Sequence, residues 1–207
     1  MDLGIGPAGA PATSWAAPNG RLPEELAAAG VTPGEVRHVV ITHLHGDHFG
    51  WVLDRDGQPM FPNALHHLHE ADWLEWPAED EQERESFERT LRPLEAGGSL
   101  SLSREDLEVA PGLRLLHAPG HTAGHRCVIA GEGEGRALLA GDMIHLPFQV
   151  RDPEWRSFFD ADPDLACENR RRVLALVEAD GMLFLTAHLP SPFGRLVTRD
   201  GERSFET

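Results

Sequence analysis

The chain contains no lysine and no tyrosine, and it has only two cysteines. Without lysine there is no Schiff-base or amine-nucleophile chemistry, since all 18 basic residues are arginine. Without tyrosine no phenol is available to assist at a reaction centre. Cys127 and Cys167 stand far apart and outside any C-x-x-C spacing. Two buried, reduced thiols are therefore expected rather than a disulfide or a ligand pair. Positive charge is scarce, with 18 basic against 34 acidic residues and a formal charge of −16. That balance argues against nucleic acid and against anionic membrane surfaces as partners. No stretch approaches the roughly 20 apolar residues of a membrane span. The N-terminus shows neither the basic flank nor the apolar run of a signal peptide. The expectation is a cytoplasmic protein. With 207 residues, 41% of them hydrophobic, one domain over 1–207 with its own core is expected.

What the chain does have is histidine, concentrated in Thr42-His43-Leu44-His45-Gly46-Asp47-His48-Phe49-Gly50. This reads H-x-H-x-D-H, directly after the apolar run Val39-Val40-Ile41. Imidazoles and a carboxylate at that density suit zinc or a similar divalent ion. Further along come His121 in Pro119-Gly120-His121-Thr122, Asp142 in Gly141-Asp142, and His188 in Ala187-His188. Each follows a short apolar run, at the end of an expected strand, where a rigid element can hold a ligand still.

The surrounding pattern is α/β. Pro23 to Gly30 reads as a short helix, with Pro at its start, acids in its first turn and Gly after its end. Val36 to Ile41 and Ala64 to Leu68 read as strands, and residues 69–76 and 79–95 as charged helices. Strands are expected at Leu113 to His117, Arg126 to Ala130 and Arg136 to Ala140. The glycine-rich run 131–135 makes a hairpin loop between the last two. Ala166 to Ala179 is an amphipathic helix with Leu165, Val173, Leu176 and Val177 on its apolar side. Met182 to Thr186 is the strand that leads to His188.

H-x-H-x-D-H followed in order by G-H-T, G-D and a late His resembles the metallo-β-lactamase-fold metallohydrolase superfamily. The resemblance implies a four-layer αββα sandwich and a dinuclear site. It implies that His43, His45 and His121 hold one metal, that Asp47, His48 and His188 hold the second, and that Asp142 bridges both. It also implies a metal-bridging hydroxide as nucleophile, with Asp47 and Asp142 as the catalytic residues; in related mononuclear enzymes the acid at the position of Asp47 acts in proton transfer instead. The cofactors would be two divalent ions, zinc first, with manganese, iron or cobalt also accepted by such ligands. Asp2-Leu3-Gly4-Ile5-Gly6 resembles the family's D-x-G-x-G loop, which makes Asp2 a candidate to support a ligand. Since almost nothing precedes Asp2, the resemblance implies a fold without the first N-terminal strands, and an uncovered sheet edge that favours a homodimer.

Local strings such as Phe61-Pro62-Asn63-Ala64 and Gly141-Asp142-Met143-Ile144-His145 look like the branch containing methyl parathion hydrolase and lactonase-like enzymes. The implied activity is hydrolysis of a small ester, lactone or phosphotriester. Alternatives are thioester hydrolysis of the glyoxalase II type and a metal-binding protein of the same fold without catalysis. His45 in place of a glutamate favours hydrolysis over di-iron redox chemistry. For His38, His66, His67, His69 and His117 ordinary packing or solvation is expected. His125 and His145 are open between supporting a ligand and packing, as are Thr42 and Thr122. Phe49, Trp51, Phe148, Trp155, Phe158 and Phe159 are open between lining a substrate pocket and filling the core. Trp73, Trp76 and Phe87 either form a lid or dock their helical stretch.

Overall fold

The computed structural model describes residues 1–10, 12, 19–75 and 81–207. The chain divides into two compact units, Met1–Ser103 and Arg104–Thr207.

The first unit is built on three short parallel strands in the order β1 (His38–Val40), β2 (Leu65–His69), β3 (Leu100–Ser103). Parallel strands need long crossovers, usually helical. The second crossover carries α2 (Glu70–Glu75), α3 (Glu81–Thr90) and α4 (Arg92–Ala96), and α1 (Leu22–Ala28) precedes β1. Pro23 and the acids Glu24 and Glu25 sit in the first turn of α1, as its start signals require. Val39, Ile41 and Leu68 from the sheet region share one core with Trp73, Phe87, Leu91 and Leu94 from the helical crossover. The rings of Trp73 and Phe87 lie 4.8 Å apart, so this stretch is docked on the core and is not a lid. Trp76 lies outside the described residues. Phe49 and Trp51 are both 1% exposed and belong to the same core, so neither lines a pocket.

The second unit carries a mixed seven-stranded sheet in the order β10-β9-β8-β7-β6-β5-β4. Its strands are β4 (Leu107–Ala110), β5 (Leu113–His117), β6 (Arg126–Ala130), β7 (Ala137–Leu139), β8 (Leu183–Leu185), β9 (Phe193–Arg199) and β10 (Glu202–Glu206). Only β7 and β8 pair in parallel; the crossover between them contains α5 (Phe148–Arg151) and the 18-residue α6 (Pro163–Asp180). Asp162 caps α6, its carboxylate accepting from Leu165 N at 3.0 Å, and Gly181 ends it at φ 61°. Val173, Leu174 and Val177 of α6 pack with Leu138 and Phe184 of the sheet. Cys127 and Cys167 are buried and free, as expected.

Each unit thus contributes one sheet with its own helices, the α/β composition of an αββα sandwich. The sequence pattern does not point to β3, β4, β9 or β10. Among the described residues no helix is long and apolar enough to cross a membrane.

Candidate metal centre

In the first unit the histidine motif is a tight turn that begins where β1 ends. It is held by the Asp2–Gly6 loop lying against it. Leu3 N donates to His48 O at 2.7 Å, and Gly50 N donates to Gly4 O at 2.8 Å. A side chain at Gly50 would collide with the backbone of Ile5, so only glycine permits this approach. The loop delivers Asp2 beneath the motif. Its carboxylate accepts from Thr42 N (2.8 Å), from Thr42 Oγ1 (3.0 Å) and from His48 Nδ1 (3.0 Å).

These bonds settle which ring atoms face outward. His48 donates through Nδ1 to Asp2, so its Nε2 turns a lone pair towards Asp47 Oδ2, 3.6 Å away. Thr42 Oγ1, having donated to Asp2, accepts from His43 Nδ1 at 3.0 Å. His43 Nε2 therefore presents its lone pair to His45 Nδ1 at 3.0 Å. Two nitrogens on one tetrahedral ion stand about 3.4 Å apart, so the pair needs little adjustment to share a metal.

In the second unit the ligand candidates leave one end of the sheet. Leu139 pairs in parallel with Leu185, and the chains leaving β7 and β8 carry Asp142 and His188. Val128 pairs with Leu139 and Arg126 with His117, which brings the end of β5, and so His121, to the same edge. Gly120 turns the chain here at φ 132°, and any side chain on it would strike Ala166 at the start of α6.

Three imidazoles converge on Asp142 Oδ2: His188 Nε2 at 2.9 Å, His145 Nε2 at 3.5 Å and His121 Nε2 at 3.6 Å. His121 donates through Nδ1 to Asp160 Oδ1 at 3.3 Å, which leaves its Nε2 lone pair facing the Asp142 carboxylate. Electron-rich atoms pointed at one another in a nearly buried site are what a bound cation relieves. His145 Nδ1 is buried and has no hydrogen-bond partner among the described residues, a further sign of a polar site. The donor set therefore fits divalent metal ions.

Asp160 is a candidate site residue that sequence patterns do not reveal. Burial pushes its carboxyl up, but hydrogen bonds from His121 and from Ser157 N–H, with the Arg170 charge, outweigh this and hold it below the ordinary carboxylate value. It stands where a carboxylate supports a histidine that could hold a metal. His125 has the same kind of role by another route. Its Nδ1 donates to Ala118 O at 3.1 Å, and its Nε2 accepts from Asp142 N at 3.1 Å, fixing the backbone of the bridging candidate. Thr122 enters the turn through its carbonyl, which accepts from Gly120 N at 2.9 Å.

The remaining histidines have structural partners. His38 Nδ1 and His67 Nε2 are 3.0 Å apart, His66 Nδ1 donates to Ser99 O, His69 Nδ1 accepts from Ala71 N, and His117 Nε2 donates to Ala123 O.

Residues 6–188 match the family model of the metallo-beta-lactamase superfamily. The N-acyl homoserine lactonase of Bacillus thuringiensis is 27% identical over 169 residues, covering 81% of this chain and 62% of the lactonase. The chain thus spans about three fifths of the length of the curated relatives it first matches. The hydrolase AbOPH of the β-lactamase superfamily superposes with a TM-score of 0.81 at 24% identity, over 100% of this chain and 74% of its own. AidC, a dizinc quorum-quenching lactonase, superposes with a TM-score of 0.79 at 22% identity, over 99% and 73% of the two chains. With its motifs, its two sheets and this match, the chain belongs to the metallo-β-lactamase superfamily.

Proposed function

We propose that the protein is a dinuclear metal-dependent hydrolase of a small ester, lactone or phosphotriester, with the two units forming one domain. The observation that carries this reading is the convergence of His121, His145 and His188 on Asp142 Oδ2. The outward-facing lone pairs of His43 and His48 support it. In this reading His43, His45 and His121 would hold one ion and Asp47, His48 and His188 the other, with Asp142 as a ligand shared between the two groups. Zinc suits the imidazole and carboxylate set, and the likeness to a dizinc lactonase supports it. Two divalent ions, when bound, supply an acidified water and polarise the substrate's carbonyl or phosphoryl oxygen.

The chain's own residues set the geometry. Asp2 and Asp160 hold His48 and His121 in the tautomers that put the ring lone pair on Nε2. His125 fixes Asp142 through its backbone. No serine or cysteine nucleophile is required, and Cys127, buried with its thiol pushed up to about 12, supplies none. Two buried free thiols also fit a reducing, cytoplasmic compartment.

The test is a panel of esters, lactones, phosphotriesters and thioesters offered to the metal-loaded chain. Turnover of an ester, lactone or phosphotriester, lost with chelator and restored by zinc, is expected. Asp142→Ala should abolish it together with metal binding. Turnover of thioesters alone would move the substrate class, and turnover of nothing would leave a metal-binding protein without catalysis.

A further inference from the structure

Five large apolar side chains are exposed within the short stretch after Asp142. Leu146 is 47% exposed, Phe148 43%, Trp155 53%, Phe159 65% and Phe158 96%. Exposed rings in such number usually mark a binding surface. The segment beneath them is firmly held. The buried Gln149 accepts from His145 N (2.8 Å) and Leu146 N (3.0 Å) and donates to Trp155 O (3.1 Å). The buried Arg170 donates to the carbonyls of Met143, Pro153 and Trp155 and to Asp160 Oδ2. Ser157 N donates to Asp160 Oδ2, and Phe159 N donates to Ser157 Oγ. The polar network faces inward and the rings face out.

One of these rings continues directly from the candidate metal ligands. His188 and His145 are stacked at 5.1 Å with 12° between their planes, and His145 and Phe159 are stacked at 5.8 Å and 28°. Phe158 then meets Phe159 edge to face at 5.9 Å. We propose that Phe159 and Phe158 form a preorganised apolar shelf that binds a flat, apolar group of the substrate and sets selectivity for it. This rests on the hydrolase reading above. The stack makes the occupant a small molecule held at the metal ligands: a group whose ester, lactone or phosphoryl end lies near Asp142 extends outward along His145 onto Phe159. Stacking and area burial on an aromatic ring raise affinity without altering the reacting atoms, so the effect falls on KM rather than kcat.

The test uses the metal-loaded chain and two readouts. Hydrolysis of 2-naphthyl acetate is compared with that of ethyl acetate, and binding of 2-naphthyl methylphosphonate is measured by calorimetry. Phe159→Ala is expected to raise KM for the naphthyl ester about tenfold, with kcat and the ethyl ester little changed, and to weaken the phosphonate by a similar factor. Phe159→Trp should restore both. Phe148→Ala, whose ring pairs with Trp155 at 4.7 Å off the stack, is the control and should change neither. Phosphonate binding that depends on Phe159 without any hydrolysis would sink the hydrolase reading and keep the shelf. Hydrolysis with an unchanged KM in Phe159→Ala would do the reverse. Loss of a dimer in Phe159→Ala with unchanged KM and phosphonate affinity would assign the rings to a second copy of the chain and overturn the proposal, as would absence of both binding and hydrolysis.

Discussion

Asp160 Oδ1 stands 3.3 Å from His121 Nδ1, with both side chains almost fully buried, and the bond places the imidazole's lone pair on Nε2. Asp160 lies far along the chain from His121, in an aromatic turn before α6. The same carboxylate receives Ser157 N at 3.1 Å and the Arg170 guanidinium at 3.4 Å. One residue therefore ties a candidate ligand histidine to the segment that carries the exposed rings.

Asp160→Asn keeps the size and removes the charge. Loss of such a partner weakens metal affinity by about 10- to 100-fold. Zinc affinity measured by chelator competition should fall within that range while the fold, read by circular dichroism, persists. An unchanged affinity would show that His121 does not depend on Asp160.

The candidate metal motif stands out in the sequence because nothing in folding demands histidines and aspartates at that density on strand ends. Asp160 does not, because its partner is brought near only by the sheet and α6, and no period or spacing in the chain encodes that meeting. Phe49 and Trp51 teach the converse: both neighbour the motif in sequence, yet their side chains point into the core. The hairpin β9–β10 had a readable signal in Asp200-Gly201, both at positive φ, but its strands mix apolar and charged residues and offer only a weak alternation. Strands β3 and β4 are four residues each, too short for a pattern to stand out.

Cys127 is fully buried, and desolvation pushes its thiol up to about 12. The thiol stays protonated at neutral pH and is inert. In the folded protein at pH 8, Cys127 should resist a thiol reagent such as DTNB, and it should react at once in denaturant. Rapid labelling of Cys127 in the native state would contradict its place in the core.

Glu178, on α6, receives Arg203 Nη2 of β10 at 2.6 Å, and Thr198 Oγ1 of β9 also donates to it. The hydrogen bond from Arg203, opposed by desolvation and helped by Thr198 and the Arg203 charge, lowers its pKa below the ordinary 4.5. A carboxyl lowered in the folded state stabilises above its unfolded pKa and loses that stabilisation as the pH falls through the folded value. The thermal midpoint of the native protein should therefore drop more between pH 6 and pH 3 than that of Glu178→Gln. Equal drops would remove this tie from the acid sensitivity of the second unit.

His43, His45, Asp47, His48, His121, Asp142 and His188 are proposed to assemble a two-metal site. The most direct measurement is metal content per chain, by elemental analysis of protein purified without chelators and then loaded with zinc and desalted. Close to two zinc ions per chain are expected, falling sharply in Asp142→Ala. A content near one would contradict the dinuclear assignment and assign Asp47 to proton transfer instead. A content near zero after loading would contradict the metal centre altogether.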